Sequence, residues 1–324
     1  MAIFKGSKSG KAEGGDGNEC AIFFADKKEK AYTVRKIMVG DENDIPRIGY
    51  TAKGYSELDP YLIKTPEDFQ RMDTEPYACY RLESDLVLSP STYPFNLNVA
   101  KNNRQFYGVF DGNGHTLQME KKGTLNYFFY NNHGTIKNVK LETTTDSSSR
   151  YFAYQNYGVI KNCCIKSRIK GSMPLVWSNK ESGEIIDCLG YVYKHDETEV
   201  KYPEDVNTSH TMFILSSHGT IRNCVTYLNS TGSIGYPSLY AFARDFYKEA
   251  TVSNCWWATM KGADKTGHYG WDPKDKTQWD IREFDSSLSP IGQVDLDFEK
   301  TWYVDENGFL ALRGMGPMDF STNS

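Results

Sequence analysis

The sequence predicts an all-β chain built around a parallel β-helix, and three observations carry that expectation. A short segment of the form Gly-x-Ile-x-Asn recurs along the chain. Aromatic residues are abundant, with Tyr 22, Phe 17 and Trp 6, and turn formers accompany them; both favour strands and tight turns over helices. Within each copy the in–out alternation slips by one position at the Asn, as a bend between two short strands requires.

The five copies are His133–Leu141, Tyr157–Ile165, Ser182–Gly190, His218–Thr226 and Glu249–Trp257. Their Asn/Asp column is Asn138, Asn162, Asp187, Asn223 and Asn254, at spacings of 24, 25, 36 and 31. Periods of this size belong to stacked repeats. In the first copy Ile136 faces in, Lys137 faces out, and Val139 and Leu141 face in again. Asn tolerates the left-handed backbone that a bend at that position needs. Coils of this kind stack about 4.8 Å apart, so equivalent residues form ladders. One such ladder is Val139, Cys163, Cys188, Cys224 and Cys255, expected inside as a column of small buried groups. An aromatic or apolar stretch precedes most copies: Tyr127–Tyr130, Tyr151–Tyr154, Leu175–Trp177, Met212–Leu215 and Leu239–Phe242.

The rest of the chain follows in order. Residues 1–18 are rich in Gly, Lys and Ser and read as a flexible anchoring arm. They contain no apolar stretch of the kind that heads a secretory leader. Residues 19–60 alternate weakly around a lysine-rich turn at 26–30 and read as a small β subdomain containing a hairpin. Thr65, Pro66, Glu67 and Asp68 are helix-start residues, so a short capping helix is expected over about 66–72. The β-helix and its end cap occupy 61–313, with a side loop inserted between Asp187 and Asn223 and a tail at 314–324.

Composition narrows function. The net charge of −5 argues against a nucleic-acid footprint. No apolar run reaches the roughly 18 residues of a membrane span. Seven cysteines cannot all pair, and no Cys-x-x-Cys occurs; reduced structural thiols and no metal or cofactor are expected.

At Phe110–Leu117 the chain reads Phe-Asp-Gly-Asn-Gly-His-Thr-Leu, followed by Gly-Thr-Ile-Lys-Asn-Val at Gly134–Val139. With the lead-in Ile63–Phe69, Tyr80–Leu88, and the closing Asn254–Trp257 and Trp302–Leu310, this resembles the GLUG-type repeat proteins. These occur in bacterial surface adhesins and some phage proteins. The resemblance spans about 62–313 and implies a right-handed parallel β-helix. The glycines expected in the aromatic stretch are missing from Tyr127–Asn131.

Two chemistries compete. Glycan cleavage needs paired carboxylates, and Asp111 beside His115 is the tempting acid; the plainer reading is that Asp111 caps the Gly112–Gly114 turn. Of the motifs that mark pectinase-like β-helix enzymes the chain has Arg168–Lys170 and Gly114-His115 without its second glycine, which is chance-level agreement. Glycan binding needs exposed rings, and Trp271, Trp279, Tyr269 and His268 form the candidate platform, whereas Trp256 and Trp257 read as capping the last coil. The expectation is therefore a non-enzymatic component of a bacteriophage virion, a head or tail appendage presenting a β-helix to a host-surface glycan or receptor. Residues 1–60 would join it to other virion proteins, with a homotrimer as the analogous assembly. A bacterial cell-surface adhesin and a glycan-cleaving spike enzyme are the alternatives.

Overall fold

The computed structural model describes residues 2–5, 21–25, 34–40, 46–51, 53–88, 105–119, 127–143, 151–168, 175–193, 210–211, 213–229, 239–240, 242–260 and 279–317. The chain divides into two units, residues 1–61 with 78–80, and residues 62–77 with 81–324. Among the described residues no helix is long and apolar enough to cross a membrane.

The first unit is a four-stranded antiparallel sheet of Ala2–Lys5, Ala21–Ala25, Val34–Gly40 and Pro46–Thr51 in sequence order. The hairpin expected in 19–60 is the pairing of Ala21–Ala25 with Val34–Gly40. Ala2–Lys5, which composition assigned to the arm, is itself a strand paired with Ala21–Ala25; its Ala-Ile-Phe run is strand-forming.

The second unit is a parallel β-helix. Three long parallel sheets of six, eight and eight strands run through it, and strands of successive coils are neighbours in each. One coil illustrates the path. Tyr127–Asn132 lies in the six-stranded sheet, which we call the aromatic sheet. A turn at His133–Gly134 leads to Thr135–Lys137 in the middle sheet. Asn138 then bends the chain into Lys140–Thr143 in the third, or covered, sheet. The next coil repeats this one in register, pairing Tyr127 with Tyr151, Thr135 with Val159 and Lys140 with Cys164. The expected helix is a 3-10 turn over Pro66–Gln70 that continues as a single α-turn over Arg71–Thr74. It buries Phe69, whose ring meets Phe110 and Phe128 at 6.0 and 5.3 Å.

Every bend residue of the Asn/Asp column has positive φ, from 51° to 55°. The side chains form a hydrogen-bonded ladder on the outside of that bend. Asn138 Nδ2 donates to Asp111 Oδ1 at 2.9 Å, Asn162 to Asn138 at 2.7 Å, Asn223 to Asp187 at 3.1 Å and Asn254 to Asn223 at 3.0 Å. The step from Asp187 to Asn162 carries no such bond, because a carboxylate has no proton to donate. Burial raises the Asp187 carboxyl above its ordinary value.

The cysteine ladder is interior, with Cys163, Cys188, Cys224 and Cys255 buried and unpaired. Each thiol sits on the carbonyl two residues before it, at 3.2–3.4 Å. Cys164, next to Cys163, is on the opposite, outer side of its strand. There it joins Leu189, Tyr191, Val225, Tyr227, Trp256 and Ala258, an apolar outer face.

The C-terminal segment buries that face. Phe284, Val294, Leu296, Trp302, Leu310, Leu312 and Met315 pack on it, and the hairpin of Trp302–Val304 with Leu310–Leu312 is locked down when Leu310 N–H donates to Tyr227 Oη at 3.0 Å. Trp256 is therefore buried beneath a lateral cover.

Candidate functional site

A second ladder, not singled out from sequence, lies at the corner between the aromatic and middle sheets. Asn132, Asn156 and Asn179 are fully buried. Asn132 Nδ2 donates to Asn156 Oδ1 at 2.8 Å, Asn156 to Asn179 at 2.8 Å, and Asn179 to Ser217 Oγ at 3.3 Å. Its sequence signal is an Asn or Ser two residues ahead of the first Gly in Asn-His-Gly, Asn-Tyr-Gly and Ser-His-Gly. Those glycines permit the close approach of coils: a Cβ on Gly158 would lie 2.1 Å from the carbonyl oxygen of Gly134.

With one flank covered and the corners occupied by ladders, the outer face of the aromatic sheet stands apart. Phe128, Phe129, Phe152, Leu175 and Val176 turn inward and are buried. Tyr130, Tyr154 and Trp177 turn outward and are part-exposed. Their rings follow one another from coil to coil, Tyr130 to Tyr154 at 5.1 Å and Tyr154 to Trp177 at 5.8 Å, tilted by 20° and 27°. Tyr127 joins them, 5.0 Å from Tyr130 and 5.3 Å from Tyr154. Its phenol is raised, first by burial and then by its tyrosine neighbours.

Beside this strip runs a polar column, Gln105, Asn131 and Gln155, paired in register. Next to that column the rings of Tyr107, His133 and Tyr157 stack at 4.9 and 4.6 Å. Tyr77 extends the stack beyond Tyr107 at 4.8 Å. The outer two coils match: Tyr107 Oη donates to Gln105 Oε1, and Tyr157 Oη to Gln155 Oε1 at 3.0 Å. The coil between them carries shorter side chains at both positions, and one polar atom of each finds no partner. Asn131 Oδ1 and His133 Nε2 are both buried without a hydrogen bond. Such atoms cost about 1–3 kcal/mol each until something answers them. Burial also lowers the His133 imidazole below its ordinary value, favouring the neutral ring.

The sequence-based candidates fall elsewhere. Trp271, Tyr269 and His268 lie outside the described residues. Trp279 is half-buried, its indole 5.0 Å from the Phe246 ring of the last complete coil. The adjoining Asp280 is tied to that coil through Val252 O and Cys255 N–H at 3.1 and 3.0 Å. Asp111 serves its turn: Oδ1 accepts from Asn113 N–H at 2.9 Å and from Asn138, and Oδ2 lies 3.7 Å from Lys137 Nζ. His115 is turned to Asp85, 3.1 Å away.

No protein-family model matches the chain, and neither does any curated protein sequence. A solved structure described as a "putative immunoglobulin A1 protease from Bacteroides ovatus" is similar at a TM-score of 0.43 and 11% identity, over 82% of this chain and 95% of that one.

Proposed function

We propose that this chain is a non-enzymatic binding component, a parallel β-helix that holds an aromatic flank against a saccharide-bearing surface. The observation that carries the reading is the outward row of Tyr127, Tyr130, Tyr154 and Trp177 beside an amide column. Part-exposed rings bury the C–H faces of sugars at small entropic cost, and neighbouring amides answer the hydroxyls. The carboxylate most suited to an acid role, Asp111, is engaged in its own turn and in the Asn ladder, which favours binding over cleavage at that place.

The setting we favour is a bacteriophage virion, with the β-helix as a head or tail appendage and residues 1–60 as the part that meets other virion proteins, a homotrimer being the assembly form. Attachment at a bacterial cell surface is the second setting, and the resemblance to GLUG-type repeats supports both. The test is co-sedimentation with bacterial envelopes, comparing wild type with Tyr154→Ala and Trp177→Ala. The expected result is saturable binding by the wild type, weakened about tenfold or more in each variant, as loss of a buried ring contact implies. Equal binding by all three proteins removes the flank from the account.

A further inference from the structure

The middle of the amide column is unlike its neighbours, and the difference has a chemical direction. In the coils before and after, a glutamine and a tyrosine two residues on close on each other, Gln105 with Tyr107 and Gln155 with Tyr157. Between them stand Asn131 and His133. The amide is one methylene shorter, and the ring nitrogen replaces a hydroxyl. Asn131 is 7% exposed, yet its Oδ1 has no donor, and His133 Nε2, held in a ring stacked between Tyr107 and Tyr157, has no partner either. Two unanswered polar atoms therefore adjoin the aromatic row, directly after Tyr130 in the chain.

We infer that this notch recognises a pair of neighbouring ring hydroxyls of a neutral pyranose glycan lying along the aromatic flank. The inference rests on the flank reading above and gives it a ligand class. A carbonyl oxygen can only accept, and a neutral imidazole bearing its proton on Nδ1 accepts at Nε2. One O–H carries one proton, so each acceptor needs its own donor; two hydroxyls on neighbouring carbons of a sugar ring seated on tyrosine or tryptophan supply both. The groups of the notch and the strip are phenols, an indole, amides and an imidazole that burial keeps neutral, which complement an uncharged sugar. Both acceptors are buried, so binding requires Gln105 or Gln155, part-exposed and each held by one tyrosine hydroxyl, to swing aside and let the sugar hydroxyls reach them. The ring spacings of 5.1 and 5.8 Å along the flank are comparable with one sugar unit of an extended glycan, so a ring anchored at the notch leaves its neighbours over Tyr154 and Trp177.

The test uses the full chain, calorimetric titration with maltohexaose, cellohexaose and hexa-N-acetylchitohexaose, and one informative variant. Asn131→Gln combined with His133→Tyr gives the middle coil the pair its neighbours already carry, so the new side chains close on each other and fill the notch. The expected result is that at least one hexasaccharide binds the wild type and binds this variant about tenfold or more weakly, as removal of satisfied buried hydrogen bonds implies. Its thermal midpoint should be unchanged or higher. An independent readout is the His133 Nε2 nitrogen resonance of the wild type, which should shift on adding that sugar. Unchanged binding by the double variant, with loss in Trp177→Ala, overturns the notch and leaves the flank standing. Binding lost with no shift at Nε2 also overturns the notch. No binding by any of the three sugars overturns the assignment to neutral pyranoses.

Discussion

Asp187→Asn should stabilise the β-helix, against the usual direction of a point substitution. Asp187 holds the only carboxylate within the repeated Asn column, and its φ of 52° suits Asn at least as well. Below it in the chain, Asn162 already donates to Asn138 at 2.7 Å; above it, Asn223 donates to Asp187 at 3.1 Å. The missing step faces two acceptors across one coil. An Asn at 187 supplies the donor and still accepts from Asn223, adding one hydrogen bond worth about 1 kcal/mol net. The lost attraction to Arg222 subtracts little, because that side chain is 48% exposed and screened. Removing the carboxylate also relieves its repulsion with Asp297. A gain of about 1 kcal/mol is about 2–4 °C in thermal midpoint for a domain of this size.

The pH dependence identifies the cause. Asp187 holds its proton to a higher pH when folded than when unfolded, where its carboxyl is ordinary at 3.8. Its ionised form therefore costs stability above the raised value, and that cost fades as pH falls through it towards 3.8. Protonated Asp187 can also donate to Asn162 itself. The midpoint advantage of Asp187→Asn should thus be largest at pH 7 and shrink towards pH 4, measured by scanning calorimetry on both proteins. A variant no more stable at pH 7, or an advantage that does not change with pH, would refute the ladder reasoning.

Other perturbations follow from the same geometry. Asn156→Ala strips the interior corner ladder, leaving the Asn132 amide and the Asn179 oxygen without partners; chemical denaturation should show a loss of about 2–4 kcal/mol. Gly158→Ala places a methyl 2.1 Å from a backbone oxygen of the preceding coil, where neither side can move away, and should cost about 3 kcal/mol or more or prevent folding, read by circular dichroism. The six described cysteines are buried, and burial raises Cys164 to about 12. Native protein should therefore react with a thiol reagent at one position at most, Cys20, and at all seven after unfolding. Tyr227→Phe removes the acceptor for Leu310 N–H and should lower stability by about 1 kcal/mol or more, seen as earlier protease cutting near the C-terminal hairpin.

The coil architecture was legible because the repeats encode their own bend: a glycine for close approach in four of the five copies, an isoleucine or valine inside, and an Asn or Asp that accepts positive φ. The aromatic flank was half legible. The runs Tyr127–Tyr130 and Tyr151–Tyr154 stand out, but two consecutive residues, Phe128 and Phe129, both turn inward. Simple alternation therefore cannot say which rings remain outside. The lateral cover was not legible at all, since Phe284, Leu296, Trp302 and Leu312 have no shared period and their partners, such as Val225 and Tyr227, lie far away in sequence. The unanswered pair at Asn131 and His133 emerges only when the coils before and after are laid against it, because each residue alone is unremarkable.

The most direct test of the central claim, that the flank binds without cutting, is a time course. Purified protein is held on bacterial envelopes at saturating occupancy while new reducing and unsaturated sugar ends are measured. The account predicts stable binding that depends on Tyr154 and Trp177 and no growth in either kind of end. Ends that accumulate with time in the wild type, and fail to accumulate in Asp111→Asn, would contradict it and make the chain an enzyme.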